Sequence, residues 1–516
     1  MTGTAATHSS YYRTFVPPKA FRPKVFVPRE ELPAAYLGKE ATTYGWDSVN
    51  CIQISTVNQS IKTSGQYPKN LKIVVNPNST WDIDVSFDAW QIAEGGSGAI
   101  VFMKLPLTKA TMTYPALAAA RGTAGNKFDF TGGYALVSIK LRYVPQKQNP
   151  FFFKGGERET IDELIADAQA RSPDDPPVLV QKVNYGSLKP TKEESALFEA
   201  ALTYLLTNNL DKFEYVFSVV NLNQRAAKEQ FQWLKPTYTS YAYFQGLSED
   251  SSYFAVLNQL DGNSPDGLTN QVSASAIPSG SNASILISNR LFLERMVLPG
   301  LVQAFPDAPS NAFKIPKTGD IIEITESLDL DSVEVGGINY HPKMTYFRLQ
   351  VVGDEVQINT KVHIPISPGI DAYVNSTYYY AIGLVEKKDG SYTMDFEPSE
   401  EPNITSWHEI ASWVTWTEIT VALIGAVVGA VVGEAIETVA RKILVIVIIT
   451  VVAGVLAVIP SIIADVAANG AAEALPPIGP MIDEAQAPVN WPDSSGFQLQ
   501  TAELNGSLQF GGLLKP

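Results

Sequence analysis

The stretch 419-ITVALIGAVVGAVVGEAIETVARKILVIVIITVVAGVLAVIPSII-463 decides how the chain reads. It holds two apolar runs, Ile419 to Gly433 and Ile443 to Ile463, separated by Glu434, Glu437, Arg441 and Lys442. As a helix the second run is about 31 Å long, one hydrocarbon thickness, and the first only about 22 Å. Gly425, Gly429 and Gly433 recur every fourth residue, so they share a helix face that lets a partner backbone approach closely. The simplest reading is a helical hairpin closed at the charged residues. Trp407, Trp413 and Trp416 precede it, where an interfacial aromatic belt of a membrane segment would lie. The shortness of the first run, Pro460 in the second and strand patterns on both sides argue for a closely packed hairpin buried in the protein body, inserted over 404–475.

Outward from that stretch the chain is ordinary for a water-exposed protein. Its 516 residues are 45% hydrophobic and 18% charged, long enough for two or three domains. A net charge of −15 without a long Lys/Arg run excludes nucleic acid as a partner. Cys51 is the only cysteine, so no internal disulfide forms. Residues 1–40 read as a Pro-rich basic tail without regular periodicity, a solvated disordered arm with Phe15, Phe21 and Phe26 among its cations.

From Thr43 regular patterns begin. Val49, Ile52, Val57 and Ile61 predict a helix capped by Asp47 or Ser48. Trp81, Ile83, Val85 and Phe87 alternate with Asp82, Asp84, Ser86 and Asp88 as a strand, and Gly95 to Gly98 turns the chain into its hairpin partner. Leu136 to Tyr143, Val178 to Val183, Tyr215 to Leu222, Tyr238 to Phe244 and Tyr253 to Leu260 read as further strands, and Glu157 to Arg171 as a short acidic helix. Thr191 with Glu194 is a capping box opening an amphipathic helix whose face carries Leu202, Leu205 and Leu206. A loop over 261–280 leads to a second such helix, capped at Ser288 and carrying Leu291, Phe292 and Met296, which Pro299 kinks or ends. Alternation over 356–366 and 373–385, with a turn at Asp389-Gly390, predicts long antiparallel strands, and Phe497 to Phe510 a last strand returning to the sheet. Long antiparallel strands with one amphipathic helix in each half, 41–260 and 261–403, make an α+β protein, followed by the hairpin and a C-terminal 476–516.

No catalytic constellation emerges. His8, His341, His363 and His408 are far apart and lack ligand spacing, and Gly95-Gly96-Ser97-Gly98 lacks the register of a nucleophile elbow. Asp329, Asp331 and Glu334 lack the glycine and distal glutamate of a calcium loop. The expectation is a non-enzyme with no metal.

Several blocks, in order, resemble one family. Thr43-Tyr44-Gly45-Trp46-Asp47-Ser48-Val49, Phe87-Asp88-Ala89-Trp90-Gln91-Ile92, Glu214 to Ser218, Trp233-Leu234-Lys235-Pro236 and Leu504-Asn505-Gly506-Ser507-Leu508 are similar to the clostridial P-forty-seven and OrfX-type proteins encoded with botulinum-type neurotoxins. The resemblance implies a TULIP-like (tubular lipid-binding) fold: strongly curved antiparallel sheets wrapping long helices, with the apolar hairpin inserted. It implies no cofactor other than a bound lipid, and as partners a lipid or membrane surface and toxin-cluster proteins. Leu202, Leu205, Leu206, Leu291, Phe292 and Met296 would line the tube; Trp407, Trp413, Trp416, Gly425, Gly429 and Gly433 would meet lipid. The leading expectation is a lipid- or membrane-binding accessory protein. The alternatives are a membrane-inserting toxin component using 407–474 and a structural partner with no cargo. Without a conventional signal peptide, the family implies synthesis in the bacterial cytoplasm and release by an unconventional route.

Overall fold

The computed structural model describes residues 40–65, 67–76, 79–114, 127–139, 141–145, 161–166, 178–210, 221–223, 229–317, 321–414, 418–454, 475–486, 489–490 and 496–515. The expected basic tail and Trp416 lie outside these residues.

A six-stranded antiparallel sheet ties the molecule together. Its strands run in the order Pro236–Phe244, Tyr253–Leu260, Ser48–Gln53, Ala283–Ile287, Leu508–Leu514, Phe497–Leu504. Two readings are corrected here. Ser48 to Gln53 is a strand, and the helix starts only at Ile54, running to Ser64. Phe497 to Phe510 is not one strand but two, meeting at a turn over Asn505 to Ser507. The first error has a physical cause. Tyr253–Leu260 is buried at every residue and Ser48–Gln53 at all but its last, so neither carries the alternation that marks a half-buried strand.

The first half packs one helix on one sheet. Strands Val178–Asn184, Tyr134–Ile139, Ile100–Thr113, Ser79–Phe87 and Asn70–Asn76 lie side by side, with Gln91–Ser97 and Lys127–Asp129 also joined to Ile100–Thr113. The alternation at Trp81 to Phe87 is realised as expected: the apolar set is buried, while Asp84 turns outward to Lys109 at 2.7 Å. Thr191 and Glu194 form the capping box, the backbone N–H of Thr191 donating to the glutamate at 2.7 Å. The helix Lys192–Thr207 then lays Phe198, Leu202, Leu205 and Leu206 into the core. The acidic helix expected over 157–171 is corrected where it is described: Ile161–Ala166 is a strand paired with Leu141–Pro145 and Asn221–Asn223.

The second half is built on an eight-stranded sheet dominated by Lys343–Val352, Glu355–Ser367 and Ile370–Glu386. Val356, Ile358, Val362, Ile364, Ala372 and Val374 are buried on one face. Against that face lies the apolar stretch, and it is not a hairpin. Glu418–Ala430, Val431–Glu437 and Thr438–Ala453 follow one another as a single helix about 54 Å long, whose middle segment is π-helical. Glu434, Glu437, Arg441 and Lys442 do not close a turn. They ride on the helix, with Arg441 reaching back to Glu437 at 2.6 Å, a one-turn spacing that supports helix instead of breaking it. The helix ends only at Gly454, whose φ of +64° caps it and where a Cβ would meet the Phe231 ring at 2.6 Å. The segment also begins later than expected, because Asn403–Ile410 is a strand of the second sheet.

The helix over 289–304 starts at Ser288, whose hydroxyl accepts the Leu291 N–H at 3.2 Å, and it continues through Pro299. It crosses the long helix at Gly300, where a Cβ would stand 2.7 Å from Ile446 Cγ2. Gly300→Val is therefore expected to destabilise the fold by about 1–3 kcal/mol through overpacking, read as a lower urea midpoint.

A pH effect follows from Glu199, which burial holds above the usual carboxylate range beside the Tyr185 hydroxyl. A carboxyl raised in the fold favours folding below its unfolded value, and that contribution is lost as pH climbs through the folded value. Glu199→Gln is expected to raise stability at pH 7 and to lose that advantage in acid below the ordinary glutamate range, by chemical denaturation at both pH values.

Candidate functional site

The interior between helix and sheet is filled. Leu202, Leu205 and Leu206 are fully buried in the first core, and Leu291, Phe292 and Met296 in the second. From Ile443 to Val452 every residue of the long helix is buried. One cleft opens between the long helix and the second sheet, bounded by Met344, Phe347, Ile358, Val362, Ile436 and Ala440. Its free volume is about 10 Å³, room for about one water molecule and far short of a lipid chain. Tyr378 and Tyr380 lie near this part of the helix; burial pushes each phenol up to about 12, with the Glu437 charge adding to the effect and Arg441 opposing it.

The outer face of the same helix is different. Ile424, Val427, Val431, Ala435, Ile436 and Ala440 are buried, Val431, Ala435 and Ile436 within the π-helical segment, whose wider turn takes up an extra residue. The opposite side carries Val421, 45% exposed, with Ala422, Gly425, Ala426, Gly429 and Gly433, all exposed. A Cβ built on Gly425, Gly429 or Gly433 meets nothing within 4 Å. Just before the helix, Trp413 is 70% exposed and its ring lies over Gly369, whose φ is +79° and where a Cβ would stand 2.6 Å from that ring. Trp413 and the glycine face are thus each exposed, Trp413 at 70% and the three glycines without a neighbour within Cβ reach.

Trp407 has another place. It stands on the outer face of the second sheet in a ladder of rings, Tyr373 stacking on it at 5.1 Å and on His363 at 5.0 Å. Lys361 Nζ lies 5.1 Å from the Trp407 ring centroid, and His363 Nε2 is 2.7 Å from Asp371 Oδ1. Sequence reading missed this cluster because its members come from three strands, although the alternation of Thr405, Trp407 and Glu409 with Ile404, Ser406 and His408 was available to mark the third. Among the described residues no group of three His, Cys, Asp or Glu side chains could hold a metal ion. Cys51 is buried and its thiol is pushed up to about 12, which leaves it unreactive.

The fold and its order of elements are those of one family. Residues 43–512 match the OrfX-like family described as Protein OrfX2/OrfX3/P47. The chain belongs to that family. More particularly, it is 27% identical over 505 residues to Protein OrfX3 of Paraclostridium bifermentans, covering 93% of this chain and 99% of that protein. It is 23% identical over 365 residues to Protein P47 of Clostridium botulinum (strain Kyoto / Type A2), covering 70% of this chain and 81% of P47. The solved structure of P47 from Clostridium botulinum A2 superposes with a TM-score of 0.64 at 18% identity, over 93% of this chain and all (100%) of that one. The likeness in structure supports the α+β, mainly antiparallel architecture.

The open space around the outer glycines predicts an asymmetry. Gly425→Ala and Gly429→Ala are each expected to stabilise the long helix by up to about 1 kcal/mol, the helix-propensity gain with no clash to offset it. Gly454→Ala is expected to destabilise, because it forces a Cβ onto Phe231 at positive φ. Thermal unfolding of the three variants reads the difference.

Proposed function

We propose that this protein is a non-enzymatic accessory component of a toxin gene cluster, of tubular lipid-binding type, that works by surface contact with lipid membranes. It carries no lipid in its interior. The observation that carries the reading is the exposed face of small apolar residues on the long helix, with the exposed Trp413 five residues before that helix in sequence. Tryptophan prefers the water–lipid boundary, and a helix face of small apolar residues lies against acyl chains at little desolvation cost. With a net charge of −15 the protein is repelled by anionic headgroups, so zwitterionic bilayers are the expected target. No cofactor takes part.

Release of the long helix into a bilayer is a poorer fit. Exposing Ile443 to Val452 costs on the order of 20 kcal/mol of apolar burial, more than the roughly 5–15 kcal/mol that holds a domain together. A second reading, docking of a helix from a toxin-cluster protein, is favoured by the four-residue glycine spacing on the same face.

Flotation with phosphatidylcholine vesicles tests the main reading. The protein should float with the vesicles, Trp413→Ser should reduce the bound fraction several-fold, and dye release should stay at background. Absence of vesicle binding at any headgroup composition refutes membrane contact. Co-purification of a cluster protein lost in Gly429→Leu would put the second reading in its place.

A further inference from the structure

One large apolar side chain of the first half stands wholly in water. Leu247 is 101% exposed, in the loop over 245–252 that joins Pro236–Phe244 to Tyr253–Leu260 in the six-stranded sheet. The backbone around it is firmly held. The Gly246 N–H donates to Ser252 Oγ at 3.0 Å, and that hydroxyl donates to the Ser248 carbonyl at 2.7 Å. The Ser248 N–H donates to Ser251 Oγ at 2.9 Å. Gln245 ties the loop to the neighbouring hairpin: its Nε2 donates to the Gly246 carbonyl at 2.9 Å, and its Oε1 accepts the Gly95 N–H at 2.8 Å. The leucine side chain takes part in none of these bonds, and a serine or asparagine would serve the loop as well. Single apolar residues on a surface are common and carry no meaning by themselves. This one differs in that the fold fixes its backbone and leaves its side chain bare, so that covering it loses little to ordering.

The charges around it say what covers it. Glu249 and Asp250 follow, both exposed, and Glu249 is held by Asn58, whose Nδ2 donates to it at 3.3 Å. Glu94 is exposed on Gln91–Ser97, and Ile100, 47% exposed, opens the strand that returns from it. Burial pushes the Tyr243 phenol up to about 12, and the Glu94 and Glu249 charges add to the effect, which sets both carboxylates beside this loop. Among the described residues none of the three acids is paired with a lysine or arginine. A fixed leucine beside unpaired carboxylates is complementary to an apolar socket with cations at its rim. A bilayer covers the leucine only by bringing the carboxylates to its surface, where charge is costly to desolvate. A second copy of the chain carries the same net charge of −15 and repels the first.

We propose that Leu247 anchors a docking site for a different protein, one that presents an apolar pocket with lysine or arginine at its rim. This goes beyond the membrane reading and does not rest on it, since the loop belongs to the first half of the molecule and the glycine face to the second.

Leu247→Ser should leave the urea midpoint of the full chain unchanged, because no neighbour loses a contact. With p-benzoylphenylalanine in place of Leu247, irradiation of the cells that make the chain should cross-link it to one protein. The same replacement at Leu188, also exposed in the first half, should not. That protein, identified by mass spectrometry and purified, should bind the full chain in solution. Leu247→Ser should weaken this binding about thirtyfold, as truncation of an interface anchor does, and Leu247→Met should leave it nearly unchanged. Glu249→Gln with Asp250→Asn should weaken it several-fold and flatten its decline with salt. The proposal is overturned if no protein is cross-linked from position 247, or if the cross-link is only to a second copy or to lipid. It is equally overturned if the purified protein binds Leu247→Ser as tightly as the native chain, or binds the native chain as tightly at high salt as at low.

Discussion

The burial of Ile443 to Val452 fixes the second half of the molecule. This run is apolar on every side, and the fold supplies a neighbour for each: the second sheet, the helix over 289–304 crossing at Gly300, and the short helix Gly479–Gln486. Gly454 ends the helix where Phe231 lies against it. Once this end is held, the direction of the remaining helix is set. Its N-terminal part runs over the sheet with one face in and one face out, and the π-helical turn at Val431 to Glu437 brings the two buried faces into phase. The outer glycine face is therefore a consequence of rigid anchoring elsewhere. Local looseness does not produce it.

Much of this was legible in the chain, and the failures have identifiable causes. Alternation found the strands at 81–87, 356–366 and 373–385 because each has one wet and one dry face. The capping box at Thr191 was readable because its hydrogen bonds are local. Ser48 to Gln53 was misread because burial on both faces erases the period. The charged residues from Glu434 to Lys442 suggested a turn, yet a helix tolerates charge wherever its surface is wet, and Glu434 and Arg441 both project from the exposed side. Nothing in a linear sequence separates a charged turn from a charged stripe. The strand at 403–410 was lost inside the hairpin because Trp407 drew attention as a membrane anchor, whereas its ring packs against Tyr373 and Lys361.

The same reasoning separates the tryptophans that sequence grouped together. Trp407 is half-buried in a ring ladder and stiffens the rim of the sheet; Trp413 lies over a glycine with most of its surface in water. A residue type shared by two positions carries no shared role until its neighbours are known. The apolar character of the helix likewise divides in two. From Ile443 on it is core, and its hydrophobicity is answered by protein. Before Val431 half of it is surface, and its hydrophobicity is answered by nothing described.

That division is what favours, in the reading proposed above, touching a lipid over carrying one. A protein that wraps an acyl chain needs a continuous gap between helix and sheet, and the residues facing that gap must be too small or too few to close it. Here they are large and close-packed: Phe198 and Leu202 fill the first half, Phe292, Met296 and Phe347 the second. Interiors packed in this way resist opening, because each side chain moved aside forfeits contacts on several others. The unsatisfied apolar surface has been placed outside instead, on a helix whose far end is immobilised and beside a sheet whose rim is stiffened by stacked rings. A rigid body with an apolar outer face binds without reorganising itself. In such a body, binding draws its free energy from covering that face and loses little to ordering.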